Sequence, residues 1–528
     1  MKKTSLAEDM LQDYAVEVGA ASIDDSIILP GSGVTIKATA KELFRRIAPT
    51  QTMFIRGGAV AGIAENNGTS TFEVIGPAAA RSRFESYAKF LVYRSGRDGQ
   101  LVLKPAIMAQ DMAMALLETE EARTFLPPIT GLINCPVILS TVGGDVEIVG
   151  KGYHPPTGLF ITGGQMPRQV VLSEAVAALR ELVSEFEFQS PGDRSRALAS
   201  FISPALKLGG HLLGNVPVDV AEADKSQSGK TYRQRLVAAV YNECPALVTC
   251  RRGGVGSVDE SLNARLIAGR PFIQLDNFRG KFDSPHMEAL LTAGKSFPVR
   301  VPHSREVEID PSRFFVMLTS NGVETTRDFA NRGNIVRNRR REHGFQFRRY
   351  PEGDLLDHVR ACQPQYLGVV FAIIRRWIEL RRPRSDETRH DFREWAQKLD
   401  WILQNILGEA PLMGGHQAAQ ERVSNPGLTF LRKLALAVAE QGRLGESLIA
   451  SQLCEIADSA ELDVPGLREP DEQKGKLLVG SILARLFRAG DSITMDEFTV
   501  IRREAETNRL DGGGIYIAWT YQFRRAAE

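Results

Sequence analysis

The segment that most clearly indicates a chemical function lies between positions 216 and 231. β-branched residues over 216–220 predict a strand, and a polar loop follows that ends in Gly229, Lys230 and Thr231 before an amphipathic run begins. A strand, a glycine-containing loop and a helix that starts with Lys-Thr are typical of a phosphate-binding loop, or P-loop. In such a loop, backbone N–H groups and the lysine bind phosphates, and the threonine hydroxyl coordinates Mg²⁺. The predicted chemistry is therefore the binding of a nucleoside triphosphate, with ATP as the default.

The P-loop should supply several consecutive contacts. We expect ATP to be contacted by Ser226, Gln227, Ser228, Gly229, Lys230 and Thr231. The usual pattern has a glycine five residues before Gly229, whereas this chain has Asp224 there. Because a bare Gly-Lys-Thr also occurs by chance, the prediction depends on the segments that follow.

Two later apolar segments each end in polar residues. The first ends in Asp276 and Asn277, and the second, over 313–320, ends in Asn321. In P-loop ATPases an acid at the first position holds Mg²⁺ together with the threonine, here Thr231, and an amide at the second orients the attacking water. Either segment alone is what any buried strand of a parallel sheet requires. Their order after the P-loop predicts a catalytic site that contains all three polar residues.

The sequence leaves open which group activates water. Many related ATPases carry glutamate directly after the metal-binding acid, and here that residue is Asn277. Glu260 and Glu288 are the acids nearest in sequence. Without such a base, the protein would hydrolyse ATP slowly or only bind it.

An arginine-rich segment follows the second apolar strand. Between residues 327 and 349, eight arginines accompany two acids, in a chain whose net charge is only +1. Three interpretations remain open. In the first, the segment is a solvated basic face. In the second, Arg327 and Arg332 are arginine fingers that reach the ATP of a neighbouring subunit. In the third, the later arginines, interleaved with aromatic residues, contact a nucleic-acid backbone.

A hairpin is predicted over Phe297–Ile309, where apolar residues alternate on both sides of a Pro-His-Ser turn. A hairpin between the Asp-ending and Asn-ending strands is typical of AAA+ ATPases that insert a loop into a central channel. We expect DNA to be contacted by Lys295, Arg300, His303, Arg305, Arg339, Arg340 and Arg341. For His303 the alternative is an ordinary exposed turn residue.

These residues must be positioned by an α/β fold, because strands and helices alternate from about Val216 to Val336. We expect an AAA+-type parallel sheet with helices on both faces. The expected divisions are an α+β N-terminal interaction domain (1–115), a connector (116–195), the ATPase domain (196–350), a helical domain (351–420) and a winged-helix-like domain (421–528). Within the first division, the pattern predicts a helix over Ala80–Leu91.

Composition limits the alternatives. A chain of 528 residues is long enough for three to four domains, and its near-zero net charge argues against a general affinity for polyanions. The N-terminus turns acidic before any apolar core, so we expect no signal peptide, and no run is long enough to span a bilayer. The five cysteines lack Cys-x-x-Cys spacing and predict reduced core thiols in a reducing cytoplasm, in preference to a zinc site or a disulfide framework.

Taken together, the motifs resemble the helicase part of phage- and mobile-element-encoded primase-helicases over roughly residues 120–410. The resemblance is carried by Leu126-Pro-Pro-Ile-Thr-Gly, Gly152-Tyr-His-Pro-Pro-Thr-Gly-Leu, the P-loop, Leu275-Asp-Asn-Phe-Arg-Gly, Leu318-Thr-Ser-Asn-Gly, Ala330-Asn-Arg and Trp377 with Phe392-Arg-Glu-Trp. It implies an AAA+ or superfamily 3-like ATPase that forms rings around DNA. It also implies Lys230 and Thr231 for phosphate and Mg²⁺, Asp276 for the metal, Asn321 as sensor and Arg332 as finger. Residues 1–115 show no recognisable arrangement of primase acids.

The favoured function is a hexameric, DNA-dependent ATPase: a helicase or translocase that serves replication of a phage, plasmid or mobile element in a bacterial cytoplasm. One alternative is a non-helicase AAA+ ATPase, either a defence-system motor or a remodeller of a protein bound by the N-terminal domain. Another is a nucleotide-binding protein with little turnover. Stimulation of ATP hydrolysis by single-stranded DNA separates the first from the others.

Overall fold

The computed structural model describes residues 26–66, 68–96, 99–141, 144–223, 227–249, 257–278, 281–300, 306–320, 324–467, 471–488, 490–495, 498–508 and 515–525. The fold is mixed α/β. The chain divides into two compact units, the first made of Met1–Phe278, Ser284–Asn321 and Asn334–Gly414, the second of Arg279–Asp283, Gly322–Gly333 and Gly415–Glu528. The finer division into five domains remains a prediction.

The N-terminal part of the first unit holds two small sheets. One contains strands Ser26–Ile28, Lys89–Ser95 and Leu101–Pro105; the other contains Met53–Arg56, Ala59–Asn66 and Thr69–Val74. The helices are Ile36–Ile47, Pro77–Glu85, Gln110–Leu117 and Glu120–Phe125, with a 3₁₀ turn at Ala48–Thr50. They share an apolar core centred on Leu43, Phe44 and Phe84.

The helix predicted over Ala80–Leu91 is wrong beyond Glu85. The chain turns at Ser86 and continues as the strand Lys89–Ser95, which pairs in parallel with Ser26–Ile28. Both Phe90 and Leu91 are buried in that pairing. The pairing with a distant strand thus outweighs the local helical pattern.

A connector of short strands leads to the main sheet. These strands are Gly131–Ile133, Val137–Ser140, Val146–Val149, Gly152–His154 and Leu159–Ile161, and the helix Leu172–Glu181 follows them. Gly131–Ile133 pairs in parallel with Leu159–Ile161, which pairs antiparallel with Gly152–His154. The other two strands form an antiparallel pair.

A six-stranded sheet dominates the first unit. We number its strands β1 (Glu187–Phe188), β2 (Val218–Glu222), β3 (Ala246–Leu247), β4 (Phe272–Phe278), β5 (Phe315–Ser320) and β6 (Gly333–Arg339). Their order across the sheet is β1-β6-β2-β5-β4-β3. The pairs β2–β5, β5–β4 and β4–β3 are parallel, whereas β1 is antiparallel to β6. The carboxyl ends of β2, β4 and β5 therefore meet at one edge, where α/β sheets bind ligands.

Helices and a hairpin surround this sheet. The helices are Pro191–Leu208, Lys230–Val240, Val258–Ala268, Pro285–Thr292, Leu355–Ala361, Gln363–Glu379 and Arg393–Asn405. The predicted hairpin is present as the antiparallel pair Phe297–Val299 and Val307–Ile309, and a 3₁₀ turn at Pro311–Arg313 precedes β5. One large apolar core joins five of these helices to the sheet, with Trp377 and Trp395 fully buried in it; the five are Pro191–Leu208, Lys230–Val240, Leu355–Ala361, Gln363–Glu379 and Arg393–Asn405.

The second unit begins with two short strands, Lys281–Phe282 and Glu324–Thr325, which pair in parallel. Its helices are Arg327–Asn331, His416–Ser424, Pro426–Glu440, Ala450–Ser459 and Glu472–Leu486. Strands Ser447–Ile449, Ile515–Arg525, Phe498–Asn508 and Ser492–Met495 form a sheet in that order. Helices followed by a β-ribbon are the arrangement from which we predict a winged helix.

None of the helices in the described parts of either unit is both long and apolar enough to cross a lipid bilayer.

Candidate nucleotide-binding site

The P-loop turns into its helix at a glycine that no other residue could replace without strain. Gly229 adopts a left-handed backbone conformation, with φ of 78°, and caps the helix Lys230–Val240. A Cβ atom added to it would lie 2.9 Å from the ring of Phe186. The side chain of Lys230 lies close to the loop, and its Nζ donates to Ser228 Oγ at 3.2 Å. The described end of the loop, the lysine and the helix start therefore lie close together, at the positive end of the helix dipole, where an anion is favoured.

The carboxylate of Asp276, near the end of β4, connects three elements. The Thr231 hydroxyl donates to Asp276 Oδ1 at 2.7 Å, and the Thr319 hydroxyl donates to the same oxygen at 2.6 Å. The Thr319 hydroxyl oxygen also accepts from the backbone N–H of Asn277 at 2.7 Å. Asn277 has a left-handed φ of 51°, and the β4–β5 register shifts between Leu275 and Phe278. This irregularity brings the acid of β4 to the first turn of the P-loop helix.

The donor set at this point fits a magnesium ion. A hydroxyl and a carboxylate are hard oxygen ligands, and Mg²⁺ in nucleotide sites is held by one or two such groups together with phosphate oxygens. Thr231 and Asp276 lie within hydrogen-bond distance of each other, and both are only partly buried. They are therefore the residues that would hold the ion.

Two residues at this edge were not among the sequence-predicted site residues. Thr319 bonds Asp276 directly. Glu222 ends β2, is only 1% exposed, and lies in register with Ser320 of β5, which in turn pairs with Phe278 of β4. Both could have been found by treating every polar residue at the end of an apolar strand as a candidate, since parallel strand ends converge.

A cavity of about 370 Å³ adjoins the P-loop. It is lined by three P-loop residues, Gln227, Ser228 and Gly229. Further lining residues include Phe186, Tyr232, Arg339, Arg341, Asp354 and Leu355. The rings of Phe186 and Tyr232 lie 6.3 Å apart. Tyr232 Oη accepts from the backbone N–H of Leu356 at 2.7 Å, and burial raises the pKa of the Tyr232 hydroxyl. The cavity thus has aromatic side chains in its lining, next to the predicted P-loop.

The three arginines predicted to contact DNA at the end of β6 have partners around this cavity. Arg341 donates to the carbonyl oxygens of residues 184, 185 and 186 at 2.9, 3.0 and 3.2 Å, and pairs with Glu187 at 2.5 Å. Arg339 donates to Gln189 Oε1 at 2.7 Å, and Arg340 to Gln227 Oε1 at 3.4 Å. Arg341 therefore stabilises the position of residues 184–187, the segment that contains Phe186.

The remaining predicted residues lie elsewhere. Lys295, just before the first hairpin strand, and Arg300, directly after it at the start of the connection, are both exposed, and the backbone carbonyl of Arg300 accepts from Asn263 at 3.0 Å. Arg327 and Arg332 belong to the second unit, the first exposed in a short helix and the second at its C-terminal end. The predicted positions Ser226, His303, Arg305 and Asn321 lie outside the described residues.

The two acids considered as the base have definite positions. Glu260 lies in the first turn of Val258–Ala268, and Glu288 in the first turn of Pro285–Thr292. Both are partly buried. Their role in activating water remains a prediction.

Comparison with known proteins gives only distant similarities. No family model and no curated protein matches the chain. The A form apo structure of the NrS-1 C-terminal region aligns at 10% identity over 90% of this chain and 98% of that chain, with a TM-score of 0.36. SCCmec type IV Cch, described as an active helicase, aligns at 11% identity over 88% of this chain and 90% of that chain, with a TM-score of 0.32. Identities and scores at this level assign the chain to no family.

Proposed function

We propose that this chain is an AAA+-type ATPase that couples hydrolysis of Mg²⁺-ATP to movement on DNA, as a helicase or translocase. One observation carries the nucleotide part of the proposal: the 2.7 Å hydrogen bond between Thr231, at the start of the P-loop helix, and Asp276, at the end of β4. Residues from two distant segments meet there, in the pair that an Mg²⁺-nucleotide site requires.

The sheet order supports the same assignment. β5 lies between the P-loop strand β2 and the acid-bearing strand β4. The described C-terminal end of β5, at Ser320, therefore lies between those of β2 and β4. For Asn321, which lies outside the described residues, we propose from its place in the sequence that it orients the attacking water.

The cavity beside the P-loop supports a nucleotide rather than a free phosphate. Phe186, Tyr232 and Leu355 present apolar surface to it, directly next to Ser228 and Gly229. A purine base gains dispersion and stacking energy against such a wall. We propose that the base of ATP lies there, with the phosphates directed along the P-loop.

The experiment for this part is a comparison of Lys230→Ala with the wild type. Without the ammonium group, we expect ATP turnover to fall to background, because nothing replaces its charge at the terminal phosphates. An exposed lysine of the N-terminal region, Lys41, supplies the matched control Lys41→Ala, which should hydrolyse ATP at the wild-type rate. Wild-type turnover by the Lys230 variant would remove the P-loop from the proposal.

The hairpin supports the DNA part. Its strands contain the buried residues Val299 and Val307, whereas Lys295, just before the first strand, and Arg300, directly after it, are exposed. Exposed cations of this kind can neutralise phosphates of a nucleic-acid strand. We expect single-stranded DNA to stimulate ATP hydrolysis, and the stimulation to weaken as salt rises.

The double variant Lys295→Ala/Arg300→Ala should lower the stimulation and its salt dependence while basal hydrolysis stays unchanged. Hydrolysis that ignores DNA at low salt would favour the protein-remodelling alternative.

A ring, expected as a hexamer, completes the proposal, with Arg332 acting on the ATP of a neighbouring subunit. Arg332→Ala should then bind ATP normally and turn over slowly. Mixing it with Lys230→Ala should restore part of the activity, because some interfaces combine an intact loop with an intact arginine. Normal turnover by Arg332→Ala alone would refute the assignment.

A further inference from the structure

A group of metal-ligating side chains lies outside the nucleotide site, at the start of the helical part of the first unit. Glu352, His358 and Cys362 offer a carboxylate, an imidazole and a thiol whose ligand atoms all lie within 4.8 Å of one another. The three residues are spread over a turn and the helix that follows it, and His358 and Cys362 are four residues apart. This spacing places them on the same face of the helix end.

The distances between the ligand atoms are close to those of a shared metal ion. His358 Nδ1 lies 2.8 Å from Glu352 Oε2 and 3.9 Å from Cys362 Sγ. Around a tetrahedral zinc ion, neighbouring nitrogen, oxygen and sulfur ligands are separated by about 3.2 to 3.7 Å. Both of these separations come within about half an ångström of that range. The third, between the ligand atoms of Glu352 and Cys362, is at most 4.8 Å, so side-chain rotations that move these atoms by about 1 Å would bring all three into range.

The backbone and two aromatic rings hold this arrangement in place. Reciprocal 3.1 Å hydrogen bonds between the backbones of Tyr350 and Gly353 close the turn that carries Glu352. The ring of Tyr350 stacks on His358 at 4.3 Å, and that of Tyr366 contacts it edge-on at 5.9 Å. Since these rings restrict the imidazole, its Nδ1 atom is directed at both other ligands. Restricting a ligand in advance strengthens metal binding.

We propose that Glu352, His358 and Cys362 bind a divalent transition-metal ion, with Zn²⁺ as the best match. Thiolate and imidazole together favour zinc over magnesium or calcium, and three protein ligands leave a fourth position for water. Binding requires His358 in the tautomer with its proton on Nε2, and the Cys362 thiol loses its proton to solvent. One carboxylate and one thiolate then balance the two charges of the ion.

The ion would stabilise the first unit locally. It would join the turn at 350–353 to the C-terminal end of Leu355–Ala361, a short helix with little stability of its own. The proposal does not depend on the nucleotide site, because binding is measured without nucleotide.

The test uses the full-length protein, stripped with a chelator, supplied with Zn²⁺ alone and then desalted. We expect about one zinc per chain by mass spectrometry of the metal content. Cys362→Ser and His358→Gln should each weaken zinc binding roughly tenfold or more in competition with a chromogenic chelator. With Co²⁺ as probe, the wild type should show a thiolate-to-metal absorption band that Cys362→Ser lacks.

The matched control is Cys244→Ser, since Cys244 is a free, exposed cysteine outside the cluster. It should retain zinc and the cobalt band. Glu352→Gln provides a second variant in an exposed turn, where misfolding cannot explain a loss of binding. No zinc retained by the wild type, or equal retention by Cys362→Ser, would overturn the proposal and leave Glu352 and His358 as an ordinary hydrogen-bonded pair.

Discussion

At the scale of single residues, Thr319 is the most informative side chain of the proposed nucleotide site. It is 1% exposed, donates to Asp276 and accepts from the Asn277 backbone. It therefore fixes both the acid and the local backbone turn. Because it never contacts the nucleotide in our proposal, it is a positioning residue.

We predict that Thr319→Val, which has nearly the same shape, destabilises the protein by about 1–3 kcal/mol through two lost hydrogen bonds. It should also raise the Mg²⁺ concentration needed for half-maximal ATP hydrolysis, since the Asp276 carboxylate loses its support. Thr39→Val is the matched control: Thr39 is 2% exposed and its hydroxyl donates to Ile28 O at 2.7 Å, in the N-terminal region. The control should lose similar stability with an unchanged Mg²⁺ requirement. An unchanged requirement in both variants would contradict the positioning role.

A buried histidine predicts how stability depends on pH. His211 Nε2 lies 3.1 Å from Ile138 O, and Nδ1 lies 3.0 Å from the Ser140 hydroxyl. Burial, reinforced by Arg382 and Lys398, lowers the pKa of His211 from 6.5 to about 4. Between these values the unfolded chain binds the extra proton, so stability falls as pH falls.

From this shift, we predict that His211 alone removes about 2 kcal/mol of stability between pH 7.5 and pH 5. The measurement is urea unfolding of the wild type and His211→Gln at both pH values. The stability difference between them should shrink by that amount at pH 5. The exposed His343 supplies the control His343→Gln, for which the difference should stay constant. A difference for His211→Gln that is equally constant would show that the ring is not neutral in the folded state.

Residue types at strand ends could be predicted from sequence, but their partners could not. Gly229, Lys230, Thr231 and Asp276 are recognisable from local spacing. Phe186 is not, because it reaches Gly229 from a strand-loop segment more than 40 positions away and carries no local signal. Contacts of this kind are determined by the sheet order, which periodicity alone does not specify.

At the scale of elements, the P-loop helix is joined to the sheet by a buried polar network. Arg233 is fully buried, and its guanidinium pairs with both carboxylate oxygens of Asp219 on β2 and bonds Ser200 at 3.3 Å. Gln234 donates to the Asp219 carbonyl at 2.9 Å and accepts from Gln274 of β4 at 2.9 Å. These bonds connect the helix that starts with Lys230 to two strands.

We predict that Arg233→Met costs about 3–5 kcal/mol, because it leaves the Asp219 carboxylate buried without its counter-ion. Adding Asp219→Asn should recover much of this loss, since asparagine is uncharged and can still accept from Gln234. A double-mutant cycle by chemical denaturation gives the coupling. Additive losses of stability, with no recovery in the double variant, would mean that the Arg233–Asp219 pair is not the main interaction between the helix and the sheet.

Element positions in the central sheet followed the sequence pattern more closely than those in the N-terminal region. The apolar runs that ended at Asp276 and Asn321 correspond to β4 and β5 within a residue or two. Their apolar residues are buried on both faces, so the pattern is strong. In the N-terminal region, apolar and polar residues alternate only weakly along the strand Lys89–Ser95. Its position is determined by pairing with Ser26–Ile28, which no local sequence pattern predicts.

At the scale of the first unit as a whole, the N-terminal sheet that contains Met53–Arg56 is anchored to the helix Val258–Ala268 through Arg56. Its guanidinium donates to the carbonyl oxygens of Leu266 and Ile267, at the C-terminal end of Val258–Ala268. It also lies 4.2 Å over the ring of Phe72. A cation at the negative end of a helix dipole, stacked on an aromatic ring, gains from both interactions. Phe72 in turn fills the space beside Gly269, whose left-handed φ of 76° ends that helix.

We predict that Arg56→Met, which keeps the stem and removes every donor, lowers the stability of the first unit by about 2–3 kcal/mol. Amide hydrogen exchange should accelerate in the strands 53–56 and 69–74 and at the end of Val258–Ala268, because both sides of the contact lose their partner. The control is Arg83→Met, which removes the more exposed 2.7 Å pair with Glu73 in the same N-terminal part of the first unit and should cost less than about 1 kcal/mol. Equal losses of stability in the two variants would contradict the role of Arg56 as the anchor. The anchor would then be the aromatic contact of Phe54 with Tyr153 and Phe160. In that case Phe54→Leu should accelerate amide exchange more than Arg56→Met does.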